Sequence, residues 1–478
     1  MKFKSLFLLS ALMLGACSTN PATGAKQFTA LMSPAQENTV GAQEHKKIAA
    51  QYGLYKDSAI NAYVSEIGQR VTQKTERPDV KYKFYVLDSP IVNAFALPGG
   101  YIYISRGLLA LANSEAQVAA VLAHEAGHIT GRHSAERYSR GVVTSLGAGV
   151  LGAVIGSSAA SQALSTGANL YLSSYSREQE HEADHLGLRY MTQGGYEPDE
   201  MAKFLSSLQA QSGLDAKLDG RKGGEFSYFS THPATGDRVQ KTVNEAKAYS
   251  NGSKVNRDGH LQKISGMIYG DSAAQGFIRG QKFYHTDLGF TFTAPDGFKI
   301  KNQTNAVIAT GYNNRAAVVF DMGKRSSGQS AANYLTQSWM KEKGLTAENI
   351  TINGMRAATA SFDGKLNGNA STIRLIAIEW KGDKFARFQI AYPKNATAEL
   401  QNDLKSASYS FRSLSAAEKK KHRPYRVKLV TAGAGDTIST MAARLPYDDH
   451  KEERFRVLNA LLPNEALVKG RVYKVIGQ

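Results

Sequence analysis

The chain has 478 residues, 58 Lys and Arg against 41 Asp and Glu, a formal charge of +17, and 42% hydrophobic residues. That length suits about two to four domains, and the single cysteine excludes an intramolecular disulfide. The positive field favours anionic surfaces such as lipid or cell-wall polymer; no nucleic-acid recognition motif accompanies it, so nucleic acid is not expected as a partner.

Lys2 and Lys4 precede an apolar run over 6–14 that is too short for a membrane span. Leu14-Gly15-Ala16-Cys17 looks like a bacterial lipobox, which implies a signal peptide over 1–16 and lipidation of Cys17 as the mature first residue. A cleaved soluble signal with a chance cysteine is the alternative. Removal of 1–16 takes away two lysines and no acids, leaving +15. Ser18 after Cys17 favours, by resemblance to lipoprotein sorting, the periplasmic face of the outer membrane. Residues 17–33, with Ser, Thr, Pro and Gly, read as a lipidated tether, and helical patterning begins near Pro34.

From Asn93 to Ile104, β-branched and aromatic residues surround Pro98-Gly99-Gly100, which predicts a hairpin. Good helix formers follow from Glu115, and Ser114 with Gln117 predicts a capping box. Within that helix lies His124-Glu125-Ala126-Gly127-His128. Residues four apart share a helix face, so both imidazoles can reach a single Zn²⁺ with Glu125 beside it, the geometry of metal-assisted hydrolysis.

Zinc needs a third protein ligand. His133 offers one, but it stands one residue early for an HExxHxxGxxH pattern whose glycine would be Gly131. Glu180 offers the other, in Ser176-Arg177-Glu178-Gln179-Glu180-His181-Glu182-Ala183-Asp184. On a predicted helix, Glu180 and Asp184 let one carboxylate bind metal while the other orients a ligand imidazole. A solvated charged face is the plain alternative for that segment. Between the two motifs, 141–176 carries no charge and contains a Gly152/Gly156 pair. A covering loop or helix beside the site is expected there, with membrane contact as the alternative.

Asn93-Ala94-Phe95-Ala96-Leu97-Pro98-Gly99-Gly100, the 124–128 motif, Glu180-x-Glu-Ala-Asp184, and Ser230-Thr231-His232-Pro233 with Arg238 occur in that order. Over about half the chain, 34–245, this resembles metallopeptidase family 48, which includes CAAX prenyl endopeptidases and the bacterial β-barrel assembly-enhancing protease. The resemblance implies one Zn²⁺ per chain on His124, His128 and Glu180, with Glu125 as general base and Asp184 behind the ligands. It implies that His232 reaches the metal, as a fourth ligand, or the reacting carbonyl, and that Arg238 helps hold developing charge. Glu125 would take a proton from water and pass it to the leaving amine. The strand around Asn93, Ala94, Phe95 and Ala96 would edge a groove for extended peptide, or be an ordinary buried hairpin.

Beyond Gly280 the texture turns to strands, at 289–294, 316–320, 373–380 and 385–392, with a predicted helix over 331–342 and an isolated His285. The segment 415–423 reads as a basic linker. Val430-Thr431-Ala432-Gly433-Ala434-Gly435-Asp436-Thr437-Ile438, Arg456-Val457-Leu458-Asn459 and Val472-Tyr473-Lys474-Val475-Ile476 look like a LysM-type module. That resemblance implies peptidoglycan binding or, alternatively, a structural or docking role, with Pro446 to Glu453 departing from the compact pattern.

The expected fold is α+β: a mainly helical gluzincin-type zinc peptidase domain with a small sheet over 34–265, an α+β domain over 280–414, and a small LysM-like βααβ module over 424–478. The function implied is a lipid-anchored periplasmic zinc endopeptidase acting on misfolded, unfolded or stalled envelope proteins. A non-proteolytic, chaperone-like or cell-wall-binding factor and a peptidoglycan hydrolase are the alternatives.

Overall fold

The computed structural model describes residues 17–155, 174–219, 228–233, 237–249, 251–341 and 344–478, with side chains between 145 and 155 set aside. The expected signal peptide and half of the uncharged stretch 141–176, residues 156–173, lie outside the described residues; 141–155 continue the helix His133–Ile155. The chain forms two compact units, Met1–Gly270 together with Tyr425–Gln478, and Asp271–Pro424.

The first unit is organised around the helix Glu115–Thr130, buried along its whole length. Ser114 caps it by accepting from the Gln117 N–H at 3.2 Å, as its sequence predicts. The capping box is incomplete: the Gln117 side chain takes the Asn113 N–H instead, at 2.7 Å. The helix Arg177–Gln193, opened by a full Ser176/Gln179 capping box, packs directly against it. Glycines make that crossing close: a Cβ on Gly127 would lie 3.1 Å from the Ala183 carbonyl oxygen, and one on Gly187 3.1 Å from the His124 nitrogen. The helices Ser58–Thr72 and Asp199–Asp219 flank the central helix.

A three-stranded sheet stands beside these helices. Its middle strand, Tyr101–Ser105, runs parallel to Lys83–Leu87 and antiparallel to the edge strand Ala94–Leu97. The hairpin predicted around Pro98-Gly99-Gly100 is present, and Gly99 (φ 76°) and Gly100 (φ 91°) supply the left-handed turn.

The segment read as a tether is folded. Cys17–Thr19 pairs with Lys26–Phe28, and the chain then runs along Arg132, whose guanidinium donates to Thr29 Oγ1, the Met32 carbonyl and Glu37 Oε1 at 3.0, 2.6 and 2.8 Å. Composition suggests slack here because the residues are small and polar. Asn20, Gln27 and Thr29 are nevertheless buried, and Asn20 and Thr29 are held by Glu182 and Arg132, remote in sequence.

The C-terminal segment shows the expected order of strand Tyr425–Thr431, helices Ile438–Ala442 and Lys451–Leu458, and strand Val472–Gly477. It packs as part of the first unit. Ile268–Tyr269 joins its two antiparallel strands, and its apolar residues continue the same core. The fully buried Lys474 donates to the carbonyls of Ala110, Leu111 and Ala112 at 2.6, 3.1 and 2.8 Å, capping the end of the helix Arg106–Leu111.

The second unit is an antiparallel seven-stranded sheet, ordered Lys299–Asn302, Val307–Gly311, Ala316–Lys324, Lys384–Pro393, Asn369–Trp380, Met355–Leu366, Glu348–Ile352, with a smaller four-stranded sheet. Apolar clusters around Phe320, Phe388 and Phe411, and around Tyr334, Leu375 and Phe385, form its cores. The helix predicted over 331–342 is shorter: Ala331–Tyr334 runs into a π-turn, Leu335–Trp339. The basic linker is in part a short helix, Ala416–Lys421, fixed by a Ser415/Glu418 capping box. His285 turns back on its own loop, accepting the Leu288 N–H at 3.2 Å.

Candidate metal centre

The central helix presents His124 and His128 one turn apart, their Nε2 atoms 3.0 Å from each other. The crossing helix brings Glu180, with Oε1 3.4 Å from His128 Nε2 and Oε2 3.7 Å from His124 Nε2. The short helix Tyr228–Thr231 delivers His232, whose Nδ1 lies 3.3 Å from His124 Nε2 and 3.0 Å from Glu180 Oε1. All four side chains are buried, and their nearest donor atoms lie within 4.8 Å of one another.

These separations fit a zinc ion. Metal–ligand bonds of about 2.0–2.1 Å in a tetrahedron give edges of roughly 3.3 Å, close to the spacings above. The charges fit as well. Burial pushes the Glu180 carboxyl up, but His232 and Arg238 outweigh it and hold the group well below the usual carboxylate range. Burial keeps the His128 imidazole well below its ordinary value, in the neutral form a metal requires. Glu125 is fully buried beside the set, both its oxygens without a hydrogen-bond partner, the nearer 3.4 Å from His232 Nε2. Burial raises its pKa against the pull of His232 and His124.

Asp184 lies behind His124, with Oδ1 2.9 Å from His124 Nδ1. Arg238 lies beside the ligands, against two carboxylates. Its Nε and Nη2 grip both Asp184 oxygens at 2.6 and 2.7 Å, and Nη1 lies 2.6 Å from Glu180 Oε2. The guanidinium is held on two sides by carboxylates, with Nη2 3.5 Å from both ring nitrogens of His124, and so braces the ligands. His133 is not in the ligand set; its Nδ1 lies 2.8 Å from His128 Nδ1, behind the ligand. Two aromatic residues that sequence reasoning did not single out complete the walls. Tyr175 stacks on His128 with ring centres 3.6 Å apart, under the guanidinium of Arg137, and Tyr228 stacks on His232 at 4.4 Å. The strand carrying Ala94, Phe95 and Ala96 is the sheet edge beside the central helix, and Asn93 Oδ1 accepts the Ala94 N–H at 2.8 Å.

Residues 58–246 match peptidase family M48. The mitochondrial metalloendopeptidase OMA1 of Schizosaccharomyces pombe is 30% identical over 216 residues, 43% of this chain and 59% of that protein. The β-barrel assembly-enhancing protease of Yersinia pestis is 29% identical over 227 residues, 45% of each. The chain thus spans about half the length of the curated relatives it matches. A solved structure of a cyanobacterial PsbP from Synechocystis aligns over 28% of this chain and 91% of its own, with 14% identity and a TM-score of 0.22. The ordered motifs and the buried three-histidine, one-glutamate set agree with the family match, and the segment 58–246 is similar to peptidase family M48, a family of zinc metallopeptidases.

Proposed function

We propose that the chain is a lipid-anchored periplasmic zinc metalloendopeptidase that hydrolyses peptide bonds of misfolded or stalled envelope and outer-membrane proteins. The observation that carries this reading is the buried set His124, His128, Glu180 and His232 beside the unpartnered carboxylate of Glu125. When bound, zinc supplies polarisation of a peptide carbonyl and activation of water. Glu125 accepts the proton of the attacking water on a carboxylate oxygen and returns it to the leaving amine. Asp184 holds His124 in one tautomer, and Arg238 fixes Asp184 and Glu180. The edge strand Ala94–Leu97 offers backbone groups to an extended substrate.

His232, stacked on Tyr228 and within reach of the other ligands, suits a closed resting site that opens for substrate. The names of the bacterial relatives support an envelope setting, and the lipobox-like Cys17 supports the anchor. No helix among the described residues is long and apolar enough to cross a membrane. The strand–helix–helix–strand order of 425–478 supports a LysM-like contact with peptidoglycan. The fold of the peptidase part is read as gluzincin-type because its third ligand, the acidic Glu180, comes from a separate helix.

Purified full chain should degrade an unfolded protein and should not clear a murein suspension. Glu125→Gln should keep stoichiometric zinc and lose cleavage by about 10²–10⁴-fold, while Glu180→Gln should lose zinc. Murein clearance without proteolysis, or full zinc occupancy in Glu180→Gln, would overturn the reading.

A further inference from the structure

His128 faces His124 and Glu180 through Nε2. A neutral imidazole that binds metal through one nitrogen carries its hydrogen on the other, so His128 Nδ1 must donate. That nitrogen meets Nδ1 of His133 at 2.8 Å. His133 must therefore accept there and carry its own hydrogen on Nε2. This second nitrogen is buried with no hydrogen-bond partner at ordinary geometry, and the carboxylate it faces is Glu182 Oε1, 3.4 Å away. The same oxygen receives Asn20 Nδ2 at 2.5 Å. The amide of Asn20 can turn only this way, because its Oδ1 already accepts the N–H groups of Ala22 and Thr23 at 2.9 and 3.3 Å. Every hydrogen in the row Asn20, Glu182, His133, His128 thus has one consistent position. Gly131 leaves the space for it: a Cβ there would fall 2.5 Å from His133 Nε2 and 2.8 Å from Glu182 Oε1.

We propose that His133, backed by Glu182 and Asn20, is the positioning residue that sets the tautomer and tilt of His128, tying the N-terminal hairpin to the metal centre. The inference rests on the ligand set proposed above. His124 has a carboxylate for this purpose in Asp184. His128 reaches its carboxylate through a second imidazole. The hairpin Cys17–Phe28 is then a part of the metal site's outer wall, held on Glu182 by one amide.

The test is the zinc affinity of the full chain, measured by competition with a chromophoric chelator, with thermal melting of the metal-free chain alongside. Losing the outer partner of a ligand imidazole weakens metal binding by about 10–100-fold. His133→Leu and Glu182→Ala should each fall in that range, and Asn20→Ala should weaken zinc less. His133→Gln should recover most of the affinity, because its side-chain oxygen can accept from His128 and its amide can donate to Glu182. A purely structural role would lower melting of the metal-free chain in all of them and leave zinc affinity of the folded protein unchanged. His128→Ala separates the two layers: if it binds zinc like the wild type, the ligand assignment itself fails. If it loses zinc while folded His133→Leu and Glu182→Ala bind normally, the positioning role alone is overturned. Should His133→Leu not fold, Glu182→Ala, whose side chain is 24% exposed, carries the same decision.

Discussion

Replacing Lys474 by methionine asks how firmly the C-terminal segment belongs to the peptidase unit. The Lys474 ammonium serves three carbonyls at the end of the helix that precedes the central one. Leu111 and Ala112 each keep another partner, Asn113 Nδ2 at 2.9 Å and His260 Nε2 at 3.1 Å, so the loss falls hardest on Ala110. One stripped buried carbonyl costs about 1–3 kcal/mol, and the two weakened charge-assisted bonds about 1.5–3 kcal/mol each. Removing a buried ammonium returns several kcal/mol of desolvation. The net expectation at pH 7 is destabilisation of roughly 1–3 kcal/mol.

The pH dependence has a definite sign. Burial, reinforced by Arg257, holds the Lys474 pKa well below the ordinary lysine value of 10.5. Between the folded-state value and 10.5 the unfolded chain binds more protons than the folded one, so wild-type stability gains from this residue as pH rises. The variant lacks that gain, and the gap should widen toward alkaline pH. Hydrogen exchange of amides in Glu115–Thr130, converted to an opening free energy at pH 7 and at a higher pH, reads the first unit alone. Equal protection in variant and wild type at both pH values would refute the reasoning.

Gly127→Val should push the crossing helices apart, because even a Cβ there would meet the Ala183 carbonyl oxygen at 3.1 Å; a chelator competition should show weaker zinc binding, and wild-type affinity would show that the crossing yields without moving Glu180. His232→Ala should raise basal cleavage of an unfolded protein if the resting centre is closed by that imidazole, and a fall in kcat with unchanged KM would assign it to the transition state instead.

The central helix and the hairpin were legible because their signals are local: a capping serine, helix formers, paired glycines and motif residues at fixed spacing. The pairing of Glu180 with the two histidines was legible because a second motif carried it. His133 reads in sequence as a candidate ligand, whereas its neighbours, His128 on one side and Glu182 on the other, depend on how two helices cross. Tyr175 and Tyr228 carry no motif, and nothing near them in sequence announces that they stack on ligand imidazoles. The N-terminal segment misled for the opposite reason: its composition is that of a linker, and its order comes from Arg132 and Glu182, contributed by distant parts of the chain. In the second unit, strands rich in Lys and Asn, such as Lys299–Asn302, are edge strands with little apolar alternation to read.

The 154-residue excursion of Asp271–Pro424 leaves and re-enters the first unit at a single doorway. Its jambs are the strands Ile268–Tyr269 and Tyr425–Thr431, in which Tyr269 and Tyr425 stand opposite each other. Joining two points so close takes no more than a hairpin turn of about two to five residues. The whole second unit is therefore an insertion in the topological sense: its two ends meet in one small sheet of the first unit. The helices that carry His124, His128 and Glu180 lie wholly within the first unit and precede the insertion in the chain, so a change in the length of the insertion leaves the spacing of the ligand residues along the sequence untouched.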